Sequence, residues 1–499
     1  MSRLLAALLL CSAPNLAQSA SVGAFELVLD PAVFEAPFSG DLFVAFAANG
    51  EPREAMHGWF GAPPVLRFEV AELAPGVART VSSADAVAHA PADWSTVEAK
   101  PWRAQAIARR SRTGRMPGLD AGDVTSAVVE LVYDPASKNA VRLTLASVVA
   151  ERPFVESERV KLFEFTSPSL SKFHGFDYVL RAGVLLPKDF GAEESYPVVV
   201  SVTGFGGTYE DIRGFERRTA PGSALEQCIV VVPDATNRYG HSVFCDSPSI
   251  GPWGQALVHE LLPALEEEFN GAGPEHRYVT GVSSGGWSSL WLQVAYPEAF
   301  AGCWSHCPDP IDFHDFQQID LYTPLADGKP RNMYVDEQGQ KRPLARRGAD
   351  VMLLYEDFVR REHVLNPGGQ IRSFEATFSP KAADGTPRRV FDVETGAIDH
   401  ATAALWKPYD IANTLLTSWK ELGPRLKGKI HLFAGEVDTF YLEGAVERFR
   451  AAAEAQGLLD EMQVEVIPGM PHTLHGEGQK QMESVIRERW AARAISPGR

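Results

Sequence analysis

RYVTGVSSGGWSSLW, residues 277–291, sets two serines and three glycines between a β-branched run and an apolar helical pattern. Within it Gly281-Val282-Ser283-Ser284-Gly285 fits G-x-S-x-G, the sequence of a serine held on a sharp strand-to-helix turn. Such a turn leaves room only for small residues two places before and two places after the serine. Ser283 has Gly281 and Gly285 at those offsets, whereas Ser284 has Val282 on one side. Trp287, Leu290, Trp291 and Val294 then repeat at helical spacing, so the segment reads as strand, turn and a helix that packs on a sheet. The N-terminal amides of that helix point at the serine.

A serine nucleophile needs a base and an acid, and on this kind of turn they follow in the order serine, acid, histidine. KIHLFAG (429–435) is a strand pattern that runs into EVDTFY, which makes Asp438 the candidate acid and leaves Glu436 as competitor. MQVEVIPG (462–469) is the next strand pattern and ends in MPHTLHG, where His472 is the candidate base and His475 the competitor. In this arrangement Ser283 attacks a carbonyl, His472 takes its proton and returns it to the leaving alcohol, and Asp438 orients the imidazole. The developing oxyanion needs backbone donors. VTGFGGTYED (202–211) follows the strand YPVVVSV, and the amides of Phe205 and Ser284 are the candidates. FCDSPSIGPWG (244–254) is placed on the same side, so Ser247 and Trp253 are candidate pocket residues. Trp287, Trp304 and His306 are further candidates for substrate contact, while RPLARR (342–347) reads as a solvated basic patch, with contact to an anionic substrate as the alternative.

Working outward, unalternated apolar runs at 196–202, 228–235, 278–282, 300–307, 429–435 and 462–469 alternate with helical patterns. Strands buried on both faces and separated by helices predict an α/β domain with a mostly parallel sheet covered by helices. Leu257, Leu261, Leu265 and Phe269 form one helical stripe, with Pro263 expected to kink it. About 120 residues separate Cys307 from Lys429, so residues 309–428 are expected to be an insertion, largely polar loop with a helix over Asp350–Val364. Residues 21–155 carry short runs of near-alternating polarity and predict an all-β, Ig-like sandwich, an accessory domain and a candidate surface for self-association. The hydrolytic constellation is thus assigned wholly to residues 156–499.

Arg3, the apolar run LLAALLL and the small residues of NLAQSA make residues 1–20 an expected signal peptide, so the chain is expected to be exported, periplasmic or secreted. Its loss leaves Cys228, Cys245, Cys303 and Cys307, read as structural. Cys303 and Cys307 fall on one strand, roughly 13 Å apart and beyond disulfide reach. No later run approaches twenty apolar residues, so no membrane insertion is expected. The net charge of −17 argues against nucleic acid and anionic lipid as partners. The sequence holds no paired-histidine ligand motif, and neither metal nor cofactor is expected.

Taken in order, TGFGGTYED, GVSSGGWSS, GEVDTFYL and IPGMPHTLHG resemble the esterase family of α/β hydrolases over roughly residues 155–495. That family groups enterochelin, feruloyl and acetyl-xylan esterases, S-formylglutathione hydrolases and mycolyltransferases. The resemblance implies a cofactor-free serine esterase acting on a small-molecule or carbohydrate-linked ester, with Ser283, Asp438 and His472 as triad and the Phe205 region as oxyanion loop. Enterochelin esterases are similar also in having a β-sandwich before the hydrolase domain. The long 309–428 insertion departs from the family pattern. Two alternatives stand beside hydrolysis: acyl transfer to an alcohol acceptor through the same triad, and a binding module with a vestigial site.

Overall fold

The computed structural model describes residues 21–495 apart from 192, 193, 220 and 366. The expected signal peptide, residues 1–20, lies outside the described residues. The chain forms two compact units, and their boundary differs from the expected break at 155. One unit comprises the chain up to Arg110 together with Gly122–Val149. The other comprises Ala150–Arg499 and, with it, the short segment Ser111–Ala121.

Among the described residues, the first unit holds nine strands: β1 (Ala24–Leu29), β2 (Phe38–Ala47), β3 (Val65–Leu73), β4 (Ala78–Ser82), β5 (Ala88–Ala90), β6 (Lys100–Ala108), β7 (Val124–Ser126), β8 (Val129–Tyr133) and β9 (Ala140–Val148). They join into one hydrogen-bonded sheet in the order β4-β1-β9-β7-β6-β2-β3-β5, with β8 also paired to β6, rather than into two separate sheets. The sheet curls over its own core. Phe25 on β1 and Phe46 on β2 are not sheet neighbours, yet their rings lie 5.9 Å apart, and Phe46 also packs on Trp102 and Tyr133. Alternation explains this: Phe25, Leu27 and Leu29 of β1 and Leu42, Val44 and Phe46 of β2 belong to one buried cluster.

The second unit is built on an eight-stranded sheet. Its strands are β10 (Val160–Thr166), β11 (Val179–Leu185), β12 (Val198–Val202), β13 (Ile229–Pro233), β14 (Arg277–Ser283), β15 (Gly302–Pro308), β16 (Ile430–Gly435) and β17 (Gln463–Ile467). The order is β10-β11-β13-β12-β14-β15-β16-β17. β10, β11 and β13 pair antiparallel, and every pairing from β13 across to β17 is parallel. All five residues of β12 and of β13 are buried, as a sheet covered on both faces requires. The helix α1 (Ser284–Ala295) starts where β14 ends. The stripe at 257–269 is one continuous helical path that widens into a π-turn over Ala256–Leu261 just before Pro263. A proline lacks the N–H that an α-turn would use there.

The insertion is more ordered than its polar composition implied. Asp350–Leu354 is a strand, paired antiparallel with Pro343–Arg347, and the helix runs only over Tyr355–Val364. A further helix, α2 (Gln370–Phe378), has every residue from Ile371 to Phe378 buried.

Candidate active site

The parallel strands deliver their C-terminal ends to one edge of the sheet, and the candidate residues gather there. Ser283 closes β14 with φ 63° and ψ −127°, a conformation costly for any residue with a Cβ. Crowding maintains it. A Cβ on Gly281 would lie 2.3 Å from the Gly285 carbonyl oxygen, and one on Gly285 would lie 2.1 Å from the Val202 carbonyl oxygen. Both glycines are therefore required by close backbone approach, and β12, β14 and α1 can meet only around them.

Asp438 follows β16 and is fully buried; His472 follows β17 and is 13 % exposed. His472 Nδ1 donates to Asp438 Oδ2 at 2.8 Å, and the Phe440 amide donates to Oδ1 at 2.8 Å, so both carboxylate oxygens are held. The two competitors lie elsewhere. Glu436 is exposed and accepts from the Gly469 amide, and the His475 amide donates to His306. Burial alone would weaken the His472 imidazolium. The Asp438 carboxylate, with the Cys307 thiol beside it, outweighs burial and raises the imidazole to about 10.

Gly204 to Gly207 form a tight turn closed by the Gly207 amide donating to the Gly204 carbonyl at 3.1 Å. Gly206 has φ 102°, as the third residue of a type II turn needs. The turn abuts the elbow: a Cβ on Gly204 would be 3.4 Å from Ser283 Cβ. Behind it, buried His241 meets the Thr203 carbonyl through Nε2 at 3.1 Å and accepts from the Val243 amide through Nδ1. Burial, with Arg115 adding to it, pushes His241 down to about 3, so it is a neutral brace.

Four residues join this cluster that the sequence reading did not place there. Asp309, one residue past β15, accepts from Ser283 Oγ at 3.5 Å and from the Ser284 hydroxyl, and its amide donates to the Ser283 carbonyl. Burial raises its carboxyl to about 6, against the hydrogen bonds of Ser284 and Gln370. Gln370, the first residue of α2, donates from Nε2 to Ser284 Oγ at 3.3 Å and to Asp309 at 3.4 Å, so the insertion touches the elbow. Arg346 is not part of a solvated patch: Nε donates to the Asp438 carbonyl at 2.9 Å and its guanidinium pairs with Glu443. Cys307, read as merely structural, is buried with φ 38° and donates from Sγ to the Thr473 carbonyl at 3.4 Å. The available signal was position: Asp309 and Cys307 sit at the end of the strand next to the nucleophile's. All four described cysteines are free thiols.

The proposed substrate contacts lie in the core instead. Trp253 is 1 % exposed, bonds the Ile250 carbonyl and packs on Tyr178 and Phe244. Trp287, also 1 % exposed, stacks on Trp291 and Phe378, and Trp304 stacks on His431. His306 is fully buried, stacked on Phe433 and pushed down to about 3 by burial. Ser247 is buried and donates to the Ala376 carbonyl. Large apolar rings and a desolvated imidazole at a sheet face bury for packing. Cys307, Asp438 and His472 form the one group of side chains among the described residues spaced to hold a metal ion, with ligand atoms within 4.8 Å of one another. Asp438 and His472 already satisfy each other in it.

A family model described as Putative esterase matches residues 177–484. Among solved structures, the chain is similar to a ferulic acid esterase at 15% identity, covering 66% of this chain and 96% of that one, with a TM-score of 0.38. It is similar to an S-formylglutathione hydrolase from Agrobacterium tumefaciens at 15% identity, covering 68% and 95%, with a TM-score of 0.36. It is also similar to a fluorophosphonate-binding serine hydrolase of Staphylococcus aureus at 11% identity, covering 66% and 97%, with a TM-score of 0.37. No match is found among curated proteins. No described helix is long and apolar enough to cross a membrane.

Proposed function

The chain belongs to the Putative esterase family and is a serine carboxylic-ester hydrolase; from that premise we propose that it cleaves its ester through an acyl-enzyme formed on Ser283. In this reading His472 draws the Ser283 proton as Oγ attacks the carbonyl, and Asp438 holds the imidazole in the tautomer that leaves Nε2 free to do so. The amides of Phe205 and Ser284 receive the oxyanion, and His472 returns the proton to the departing alcohol. Water then attacks the acyl-enzyme by the same route, and Ser283 is regenerated.

The observation that carries the reading is the strained Ser283, φ 63°, pinned between two glycines that tolerate no Cβ. Strain of this kind persists only where the surroundings enforce it, and it presents Oγ at the end of β14. The ester is a small-molecule substrate, carbohydrate-linked esters included. Residues 1–20 direct export in this reading, and the β-rich unit is an accessory domain. The test is a fluorophosphonate probe and an aryl acetate: the wild type is labelled at Ser283 and turns over, and Ser283→Ala does neither. A folded wild type that resists the probe and hydrolyses no ester in a broad panel would overturn it.

A further inference from the structure

Ser111–Ala121 lies between β6 and β7 in sequence, yet it is compact with Ala150–Arg499. The segment is tied to itself. The Met116 amide donates to Asp120 Oδ2 at 2.7 Å, and the Asp120 and Leu119 amides donate to the Met116 carbonyl. A Cβ on Gly114 would strike the Asp120 carboxyl at 2.1 Å, so that carboxyl is folded beneath the loop. Arg115 is presented at the tip. Its Nη2 donates to the Gly206 carbonyl at 3.0 Å, and its guanidinium lies over the Phe205 ring, 4.9 Å from the centroid.

These two contacts grip both residues at the corner of the type II turn. The guanidinium holds the 206–207 peptide by its carbonyl and packs on the Phe205 side chain, so the turn that carries the Phe205 amide is held at both corner residues. The support continues behind the loop. A Cβ on Gly368 would lie 2.8 Å from the Arg115 carbonyl oxygen, and one on Gly240 would lie 3.0 Å from the Phe205 ring and 2.7 Å from the Gly369 carbonyl oxygen. The next residue, Gln370, donates to the hydroxyl of Ser284, whose amide is the other of the oxyanion pair. The charged and titratable groups that face Arg115 are Asp120, Asp234 and His241.

We infer that Arg115 is a positioning residue for the oxyanion turn, so that a segment encoded between two strands of the N-terminal sheet completes the catalytic unit. The inference rests on the esterase reading above and on Phe205 as a donor. It implies that residues 156–499 are catalytically incomplete by themselves. A guanidinium suits the task because it bonds a carbonyl in its plane while stacking on a ring with its face.

The test compares wild type, Arg115→Ala and Arg115→Lys on a matched pair of substrates, an aryl ester and its thionoester. Thiono sulfur accepts hydrogen bonds weakly, so its turnover depends little on oxyanion donors. Arg115→Ala is expected to lower kcat on the oxygen ester about 30-fold with KM within about threefold. Its thionoester rate is expected to fall much less, and Arg115→Lys to recover part of the loss. Equal losses on both substrates, an effect on KM alone, or unchanged kcat would overturn the inference. If the wild type hydrolyses the ester and is labelled at Ser283, such a result leaves the esterase reading intact; an inactive, unlabelled wild type overturns both.

Discussion

Asp309→Asn isolates the energetic consequence of placing a second buried carboxyl beside Ser283. Asp309 is 3 % exposed, and burial raises its carboxyl from the ordinary 3.8 to about 6. The Ser284 and Gln370 hydrogen bonds and the His472 charge oppose that rise, while the Asp438 carboxylate adds to it. A carboxyl whose pKa is higher in the folded state favours folding in its neutral form. Its stabilising contribution is complete below pH 3.8 and is lost as the pH climbs through about 6. At 1.36 kcal/mol for each pH unit of separation, the wild type loses about 3 kcal/mol in all, most of it between pH 4 and pH 8. Asparagine has nearly the same shape and cannot ionise, so the variant escapes that loss. Its stability relative to the wild type should rise by that amount across the interval, about 4 °C in Tm for a unit of this size. Any difference between asparagine and the neutral carboxyl in bonding Ser284 adds a fixed offset and leaves the slope unchanged. Melting curves of both proteins at pH 4, 6 and 8, at matched ionic strength, read the slope directly. Two curves that stay parallel across the three pH values would refute the placement of an ionisable Asp309 in this buried cluster.

Gly285→Ala should abolish fluorophosphonate labelling and lower Tm, because the new methyl meets the Val202 backbone at 2.1 Å and overpacking against backbone costs about 3 kcal/mol or more. Asp438→Asn should slow labelling about 10³-fold or more. In the wild type the pH–rate limb assigned to His472 should lie well above 6.5, since Asp438 outweighs burial and holds the imidazole near 10, and the variant should move that limb toward acid. The same bond stabilises the fold in full below pH 6.5 and its contribution fades as pH rises toward 10. Arg346→Ala should lower kcat about tenfold and cost about 2 kcal/mol in a denaturant titration, because it frees the Asp438 carbonyl and leaves Glu443 half-buried without its cation. Trp287→Ala should cost about 3 kcal/mol of stability while leaving the ranking of ester substrates unchanged, since its ring is core rather than pocket.

The parts of the site that were legible are those set by local backbone geometry. Ser283 between Gly281 and Gly285, Asp438 after β16 and His472 after β17 each depend on a strand end, and strand ends are written in runs such as VVVSV and IHLFAG. The glycine spacing discriminated between the two serines because the steric demand is local: two neighbouring carbonyls leave no room for a Cβ. Aromatic residues followed a different logic. Trp253, Trp287 and His306 were placed near the cleft by sequence position, but a helix or strand facing the sheet carries its largest rings inward, and which face is inward depends on partners far away in sequence. Phe378, from the insertion, is what covers Trp287.

The support around the triad was illegible for the same reason. Each brace joins a residue near the triad to one far off in sequence: Arg346 to Asp438, Gln370 to Asp309, Arg115 to Gly206. Two of these braces come from the insertion, whose polar composition reads as loop. That composition has a physical use once the contacts are known. Backbone groups of the candidate site such as the Asp438 and Gly206 carbonyls have hydrogen-bonding capacity left over after their own strands are paired, and polar side chains meet it here. An apolar lid would cover these groups without fixing them. The insertion and Ser111–Ala121 instead place arginine, glutamine and glycine at single points of contact, which in the proposed mechanism orients the backbone around the ester while the chemistry falls to Ser283, His472 and Asp438.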